Sequence, residues 1–213
     1  METMVFLDPP KMKATPFTTS EVVARVSGIG HRKMRAAIRK YKSELESFGL
    51  LAPYRAESTG GRPEEGYRLN EEQAAFLMTL LKNTPKVVMF KKELVRQFYQ
   101  MKAELTRREV NRAKLLPARR TLTDAVRDCL PESPHKFRWY KIYTDLAYKA
   151  AVGMGAAKIR KERGADKNAN AVEYLTSEEM EAVEKASGQI AVLIEAGMSY
   201  PEIRDILRRK AAD

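Results

Sequence analysis

A strongly basic segment, HRKMRAAIRKYK at residues 31–42, follows a turn that contains Gly28 and Gly30. The segment before the turn, TTSEVVARVSG, has valines at the spacing of one helix face. The order of helix, glycine-containing turn and second helix predicts a helix-turn-helix motif. In such a motif the second helix is free to lie in the major groove of DNA. We take this pairing as the main constraint on the fold.

Both helices have signals for their bounds and for their buried faces. Thr18 or Thr19 is placed to cap the first helix, and Gly49 is placed to end the second. Apolar residues recur in the second helix at steps of three and four, which predicts a core-facing stripe of Met34, Ile38, Tyr41, Leu45 and Phe48. Only the other faces of this helix remain available for a partner.

The pattern changes in the next segment, APYRAESTGGRPEEGYRLN at residues 52–70. It has two prolines, a Gly60-Gly61 pair and a short apolar or aromatic stretch at each end. This composition predicts two short strands joined by a turn, which is a β-hairpin. The order helix, turn, helix, hairpin is typical of a winged helix-turn-helix.

The sequence after the predicted hairpin has the patterns of helices. Asn70 is placed to cap a third helix, and Pro85 to open a longer one that we expect to end near Lys114. The expected inner side of the longer helix holds Val88, Val95, Phe98, Met101 and Leu105. A proline inside LLPARR, Pro117, marks the predicted domain boundary. The fold class is therefore mainly α, with an N-terminal arm at 1–16, a winged helix-turn-helix DNA-binding domain with its long following helix at 17–116, and a helical oligomerisation or partner domain at 117–213.

Two further patterns in the second half have structural interpretations. Trp139, Tyr140 and Tyr143 alternate with cationic residues and are able to stack on bases, but their helical spacing favours a helix core. Thr176 to Glu179 has the pattern of a capping box at the start of a helix.

The charge balance points to a polyanionic partner. Lys and Arg number 39 against 28 acidic residues, a net charge of +11. Nucleic acid fits such a charge first, and an acidic membrane surface second. The sequence has no run of eighteen apolar residues, and its first residues include acids and prolines, so neither a membrane span nor a signal peptide is expected. We expect a cytoplasmic protein in which the one cysteine, Cys129, is a buried thiol.

Enzyme chemistry has little support in the sequence. The two histidines and the cysteine lie far apart, so no catalytic triad or metal cluster is visible. Gly28 and Gly30 lack the third glycine of a dinucleotide motif, and there is no P-loop. We expect no catalytic activity, no cofactor and no bound metal.

Three blocks of the first half, between Thr19 and about Met101, resemble the phage regulatory protein Rha family. The blocks are TSEVVARVSGIGHRKMRAAIRK, GRPEEGYRLNEEQAAFLM and VVMFKKELVRQFYQM. The residues that occupy the family's characteristic places are Gly30-His31, Tyr67-Arg68-Leu69-Asn70 and Phe90-Lys91. The chain departs from the family at TLLKNTPKVVMFK, where members often carry a glycine-rich turn. The resemblance implies a phage regulator.

The second half resembles the C-terminal region of some Rha-type or antirepressor-like phage proteins. The segments DAVRDCLPESPHK and YKIYTDLAYKAAVGM carry this similarity. It implies a helical accessory region for self-association or partner contact, without chemistry of its own.

The candidate DNA-binding residues lie in the second helix and the hairpin. No acidic residue occurs between positions 22 and 43, whereas a helix face that is merely solvated mixes charges of both signs. We expect base or phosphate contacts near the helix start and backbone contacts farther along. In the hairpin, an arginine beside the glycine pair is placed to reach the minor groove, although a plain loop charge is the alternative. The candidates are His31, Arg32, Lys33, Arg35, Arg39, Lys42, Arg55 and Arg62.

His31 has two interpretations that the sequence leaves open. It either caps the helix or bonds a phosphate, or it packs in neutral form against the first helix.

The sequence thus predicts a phage or prophage transcriptional regulator that binds double-stranded DNA as a homodimer in the cytoplasm of a bacterial host. One alternative is an antirepressor or adaptor that contacts a phage or host protein, with the acidic segment VEYLTSEEMEAVEKAS as a candidate contact surface. A second alternative is a non-specific nucleic-acid-binding protein of phage replication or packaging.

Overall fold

The computed structural model describes residues 2–8, 10–11, 14–55 and 65–210. It is mainly helical, with a small antiparallel sheet. The chain divides into two compact units, which are described separately. Unit 1 comprises Met1–Asp8 and Ala14–Ala103, and unit 2 comprises Pro9–Lys13 and Glu104–Asp213.

Unit 1 contains the sheet and the shorter helices of the first half. In chain order its elements are β1 (Thr18–Thr19), α1 (Ser20–Ser27), α2 (His31–Lys40), α3 (Lys42–Glu46), β2 (Pro53–Arg55), β3 (Glu65–Leu69), α4 (Glu71–Leu80) and the first part of α5 (Pro85–Cys129).

Local signals set the helix starts in unit 1. The side chain of Thr19 accepts a hydrogen bond from the backbone N–H of Val22 at 3.2 Å, which confirms the predicted cap of α1. Asn70 and Gln73 form a reciprocal capping box at the start of α4. Gly28 ends α1 in the left-handed conformation, at φ +75, which a residue with a side chain rarely adopts.

The sheet has the order β1-β3-β2, with both neighbouring pairs antiparallel. Pro53 lies opposite Tyr67 and Arg55 opposite Glu65, so the two predicted hairpin strands are present. Strand β1 was not predicted, because its two residues are too few to show an alternating pattern.

The second basic helix is shorter than predicted. Helix α2 ends at Lys40, Tyr41 leaves the helical conformation at ψ 34, and α3 follows as a separate element. The predicted stripe is nevertheless largely buried, since Met34, Ile38 and Leu45 lie in the core of unit 1. Phe48, at the end of the stripe, is exposed.

Helix α5 corrects two predictions. It continues through Pro117 to Cys129 and does not end near Lys114. Pro117 cannot donate to the carbonyl of Ala113, and both residues are exposed, so water is able to bond that carbonyl. The predicted inner side is also wrong at Val88 and Val95, which are 50% and 43% exposed. The buried side of this part of α5 consists of Val87, Phe90, Leu94 and Phe98.

All regular elements among the described residues of unit 2 are helices. Besides the rest of α5 it contains α6 (Lys136–Val152), α7 (Ala156–Glu162), a 3₁₀ turn (Ala171–Tyr174), α8 (Ser177–Glu195) and α9 (Tyr200–Lys210). Tyr143 is buried in its core, and Trp139 and Tyr200 pack on it with ring centroids 5.8 and 5.6 Å away. The core interpretation of this aromatic segment is thus confirmed. Cys129 is exposed, which contradicts the prediction of a buried thiol.

The start of α8 is held by a capping box and an ion pair. Thr176 and Glu179 bond reciprocally, as the sequence predicted. The guanidinium of Arg163 binds both carboxylate oxygens of Glu179. Burial raises the pKa of Glu179, but hydrogen bonds from Arg163 and the Thr176 backbone outweigh burial and leave that pKa below its usual range.

Candidate nucleic-acid interface

Helix α2 is positioned by the turn before it and by two buried side chains. The N–H of Ile29 donates to the carbonyl of Ala24 at 3.0 Å, which closes the end of α1 and redirects the chain. Met34 and Ile38 then bury one side of α2 in the same core as Val23 of α1. The opposite side of α2 is thereby fixed toward solvent.

The exposed side of α2 is centred on Ala36. Successive residues of a helix are about 100° apart, so Ala36 lies opposite the buried pair Met34 and Ile38. Residues three and four positions from Ala36 surround it, and all of them are exposed cations. We call this surface the Ala36 face; it consists of Arg32, Lys33, Ala36, Arg39 and Lys40.

No described neighbour neutralises the charges of the Ala36 face. Arg32, Lys33 and Arg39 make no ion pair or side-chain hydrogen bond with any other described residue. The ammonium of Lys40 lies 5.2 Å from the ring centroid of Tyr41, which leaves its charge in place. Four like charges around one small residue form a concentrated positive surface.

Two of the predicted cations differ from the rest. Lys42 follows α2 and lies 3.6 Å from a carboxylate oxygen of Glu46, one turn later. Arg35 is half-buried at the flank of α2, and one of its terminal nitrogens donates to the carbonyl of Glu65 at 2.9 Å. Its Nε is buried without a hydrogen-bond partner among the described residues. Arg35 therefore ties the start of β3 to α2.

Arg35→Met should loosen β3 and leave the Ala36 face unchanged. The substitution removes the hydrogen bond to Glu65 and keeps most of the side-chain volume, so we expect a loss of about 1 kcal/mol in the local stability of β3. Hydrogen exchange by mass spectrometry of peptides from β3 measures this loss. The exposed neighbour Arg32→Met is the control and should leave β3 unchanged; equal effects of the two substitutions would contradict the role of Arg35.

His31 lies at the junction of α1, α2 and β3. Its Nε2 is 3.1 Å from the hydroxyl oxygen of Ser20, and that oxygen also accepts a hydrogen bond from the N–H of Tyr67 at 3.1 Å. Gly66 approaches the same point so closely that an added Cβ would lie 2.7 Å from the Ser20 oxygen. This geometry favours the packing interpretation of His31 over a cap or a phosphate ligand.

The hairpin begins beside α2. Arg55, the last described residue of β2, lies opposite Glu65, and Glu65 is the residue whose carbonyl Arg35 binds. The backbone of Arg55 is therefore next to the flank of α2. The side chain of Arg55 and the whole of Arg62 lie outside the described residues.

Two further cations adjoin the predicted set. Lys40 belongs to the Ala36 face, and its spacing from Ala36 was visible in the sequence. Lys86, in the first turn of α5, lies over the turn before α2, with its ammonium 3.0 Å from the position of a Cβ on Gly28. No local signal in the sequence connects Lys86 with Gly28, because 58 positions separate them.

The part of the chain that the structure describes contains no group of three His, Cys, Asp or Glu side chains close enough to share a metal ion. None of its helices combines the length and the apolar character needed to cross a membrane.

Comparison with known proteins agrees with the sequence resemblance. The family model described as phage regulatory protein Rha matches residues 18–103. This range begins at β1 and ends in α5, so it covers α2 and both strands of the hairpin. No curated protein matches the chain. The predicted resemblance is thus confirmed for the N-terminal half, whose residues 18–103 match the phage regulatory protein Rha family and indicate a phage regulatory role.

Proposed function

We propose that the chain is a transcriptional regulator of a phage or prophage that binds duplex DNA through α2. The observation that carries the proposal is the Ala36 face, a set of exposed cations that surround a small residue and that no described residue neutralises. Such a regulator acts in the cytoplasm of the bacterial host, where the phage DNA is, and needs no catalytic group.

The dimensions of α2 suit the major groove. Its ten residues span about 15 Å, and the groove is about 12 Å wide. The methyl group of Ala36 allows the helix axis to come close to the base edges. Arg32 and Lys33 near one end and Arg39 and Lys40 near the other are then within reach of bases or of phosphates on both sides of the groove.

The sheet supports a winged helix-turn-helix. Helix, turn, helix and hairpin follow one another in unit 1, and β1 adds a strand on the other side of β3. Arg35 places the open end of the described hairpin beside α2. A wing at this position would follow the DNA next to the groove that α2 occupies, with Arg55 and Arg62 as its cations.

An apolar stripe on α5 supports a homodimer. Val88, Val95 and Tyr99 are spaced by seven and four residues, so they share one face of the helix. Their exposed fractions are 50%, 43% and 67%. Two copies joined through this stripe would present two α2 helices to two half-sites about one helical turn apart.

The acidic segment proposed for the antirepressor alternative is partly engaged within the chain. Glu173 lies within 3.0 Å of Lys11, Glu179 is bound by Arg163, and Glu181 accepts a hydrogen bond from Asn111. These contacts leave fewer carboxylates for a partner and favour the DNA-binding proposal over this alternative.

The test is binding to duplex fragments that tile the phage or prophage genome encoding the chain, measured by fluorescence anisotropy across a salt series. We expect selective binding to few fragments. With about five phosphate contacts per copy, the affinity should fall by about 10²- to 10³-fold per copy between 50 and 200 mM salt. Equal binding to all fragments would favour the non-specific alternative, and absence of binding at low salt would contradict the proposal.

A further inference from the structure

We propose that unit 2 binds an acidic peptide segment of a protein partner in a cleft between α6, the turn after it and α9. One apolar side chain of the segment enters the cleft, and carboxylates beside it pair with cations on the rim. The cleft lies entirely in unit 2, so the proposal does not depend on DNA binding by unit 1.

The volume of the cleft and its apolar floor are both typical of a binding site. Its volume is about 600 Å³, within the range of about 300–1,000 Å³ that is typical of ligand pockets. Leu146 and Leu207 are almost completely buried beneath it, and the half-buried Met154 lines its wall. This aliphatic surface favours an apolar side chain, because covering it removes apolar area from water.

The rim of the cleft is basic. Lys149, Lys158, Arg204 and Arg208 line it. Lys158 lies 3.5 Å from Glu162, and Arg204 lies 3.0 Å from its neighbour Asp205.

Two of these cations have no partner among the described residues. Lys149 and Arg208 make no ion pair or side-chain hydrogen bond with any other described residue. The one acidic residue of the lining is Asp145, and its carboxylate accepts a hydrogen bond from the N–H of Ala156 at 3.2 Å. Two cations without a described partner, one on α6 and one on α9, line an apolar floor and fit carboxylates that flank an apolar anchor.

The floor of this first cleft favours a peptide over nucleic acid. Sequence-tolerant binding of single strands uses exposed aromatic faces on which bases stack. Tyr200 is the one aromatic residue of the lining, and its ring packs against Trp139 and Tyr143 with centroids 6.1 and 5.6 Å away. The remaining apolar lining is aliphatic, which suits a leucine-like anchor better than a base.

A second cleft extends the same surface. It has a volume of about 380 Å³, shares Asp145 and Ala157 with the first cleft, and adds Arg119, Lys141 and Arg160 to the cations. Its lining includes two tyrosines, of which Tyr148 is buried and Tyr140 is partly buried. A ligand that follows both clefts is longer than a compact small molecule. The combination of an anchor position and a continued basic track therefore points to an extended acidic segment.

The experiment uses the full chain and fluorescein-labelled peptides of twelve residues. Each peptide has Glu and Asp at its flanking positions and Leu, Phe or Ala at its centre. We expect the Leu and Phe peptides to bind at least about tenfold more tightly than the Ala peptide, because only they fill the cleft. Lys149→Glu with Arg208→Glu should weaken their binding at least about tenfold.

Matched variants separate the site from net charge and from folding. Lys114→Glu with Lys185→Glu changes the charge equally at exposed positions outside both clefts and should leave binding unchanged. Ala157→Glu places bulk and negative charge in the cleft at an exposed position, so it should abolish binding in a folded chain, as verified by circular dichroism. Equal binding of the Ala peptide, equal losses in the matched variant, or no peptide binding at 50 mM salt would overturn the proposal. The proposal would also be overturned if an oligo-dT strand bound to the chain through Lys149 and Arg208 while the peptides did not bind.

Discussion

The double substitution Arg32→Glu with Arg39→Glu is expected to lower the affinity for duplex DNA by about 10³-fold or more at 100 mM salt. Each change removes a cation from the Ala36 face and puts a negative charge against the phosphates. A good contact to a base edge is worth about 1–3 kcal/mol, and the added repulsion increases the loss. Both side chains are exposed and unpaired among the described residues, so the fold should be unaffected.

The control for this prediction carries the same net charge. The wild-type chain has a net charge of +11, and two Arg-to-Glu changes lower it by four, to +7. Arg120→Glu with Arg209→Glu makes the same change at exposed positions of unit 2. Anisotropy titrations of both variants on the same fragment should separate them by at least about a hundredfold. If the control loses as much affinity, DNA binding depends on overall charge and not on α2.

The parts of the fold with local signals were predictable from the sequence. Thr19, Asn70 and Thr176 cap helices as expected because a cap acts within three residues of itself. The hairpin strands were recognisable because the apolar ends and the turn residues lie close together in the chain. The confirmed family resemblance uses the same stretch, residues 18–103.

The predictions that failed concern features that depend on residues far apart in the sequence. Periodicity alone did not show which side of α5 faces the core, since Val87 and Val88 are both apolar and only the packed partners distinguish them. Pro117 predicts a helix end in isolation, but an exposed position tolerates the missing hydrogen bond. Arg35 looked equivalent to Arg32 because its partner, the carbonyl of Glu65, lies thirty positions away.

The sequence therefore predicted which helix forms the candidate site, but not which side chains share its exposed face. The sequence identified the basic helix and the buried stripe along it. Met34 and Ile38 belong to that stripe, so they are excluded as contacts to a partner. The sequence-based prediction counted Arg35 with Arg32 and Arg39 as a DNA contact and left Lys40 out of the candidates, whereas the structure half-buries Arg35 and includes Lys40 in the exposed face around Ala36. Arg35 lies about 100° around the helix from Ala36, so the structure changes which side chains a mutational test should target.

Gly66→Ala is expected to destabilise unit 1 by about 2–3 kcal/mol. The new Cβ would lie 2.7 Å from the hydroxyl oxygen of Ser20, a distance that requires one of the two elements to move. Ser20 is completely buried, and its oxygen accepts the N–H of Tyr67, so it has no free space. Strand β3 is hydrogen-bonded to β1 on one side and β2 on the other, so it cannot move away easily either. Hydrogen exchange of peptides from α1 and β3 measures the loss without interference from unit 2.

Gly30→Ala is the matched control, because nothing lies within 4 Å of a Cβ at Gly30 and its φ of −56 suits any residue. Its effect should stay within about 0.5 kcal/mol. In a Ser20→Ala background, Gly66→Ala should cost less than in the wild type, since the clashing oxygen is gone. If Gly66→Ala is as mild as Gly30→Ala, β3 does not approach α1 as closely as the structure has it. The packing of β3 on α1 would then be contradicted, while the bond from Arg35 to β3 and the Ala36 face would each keep its own test.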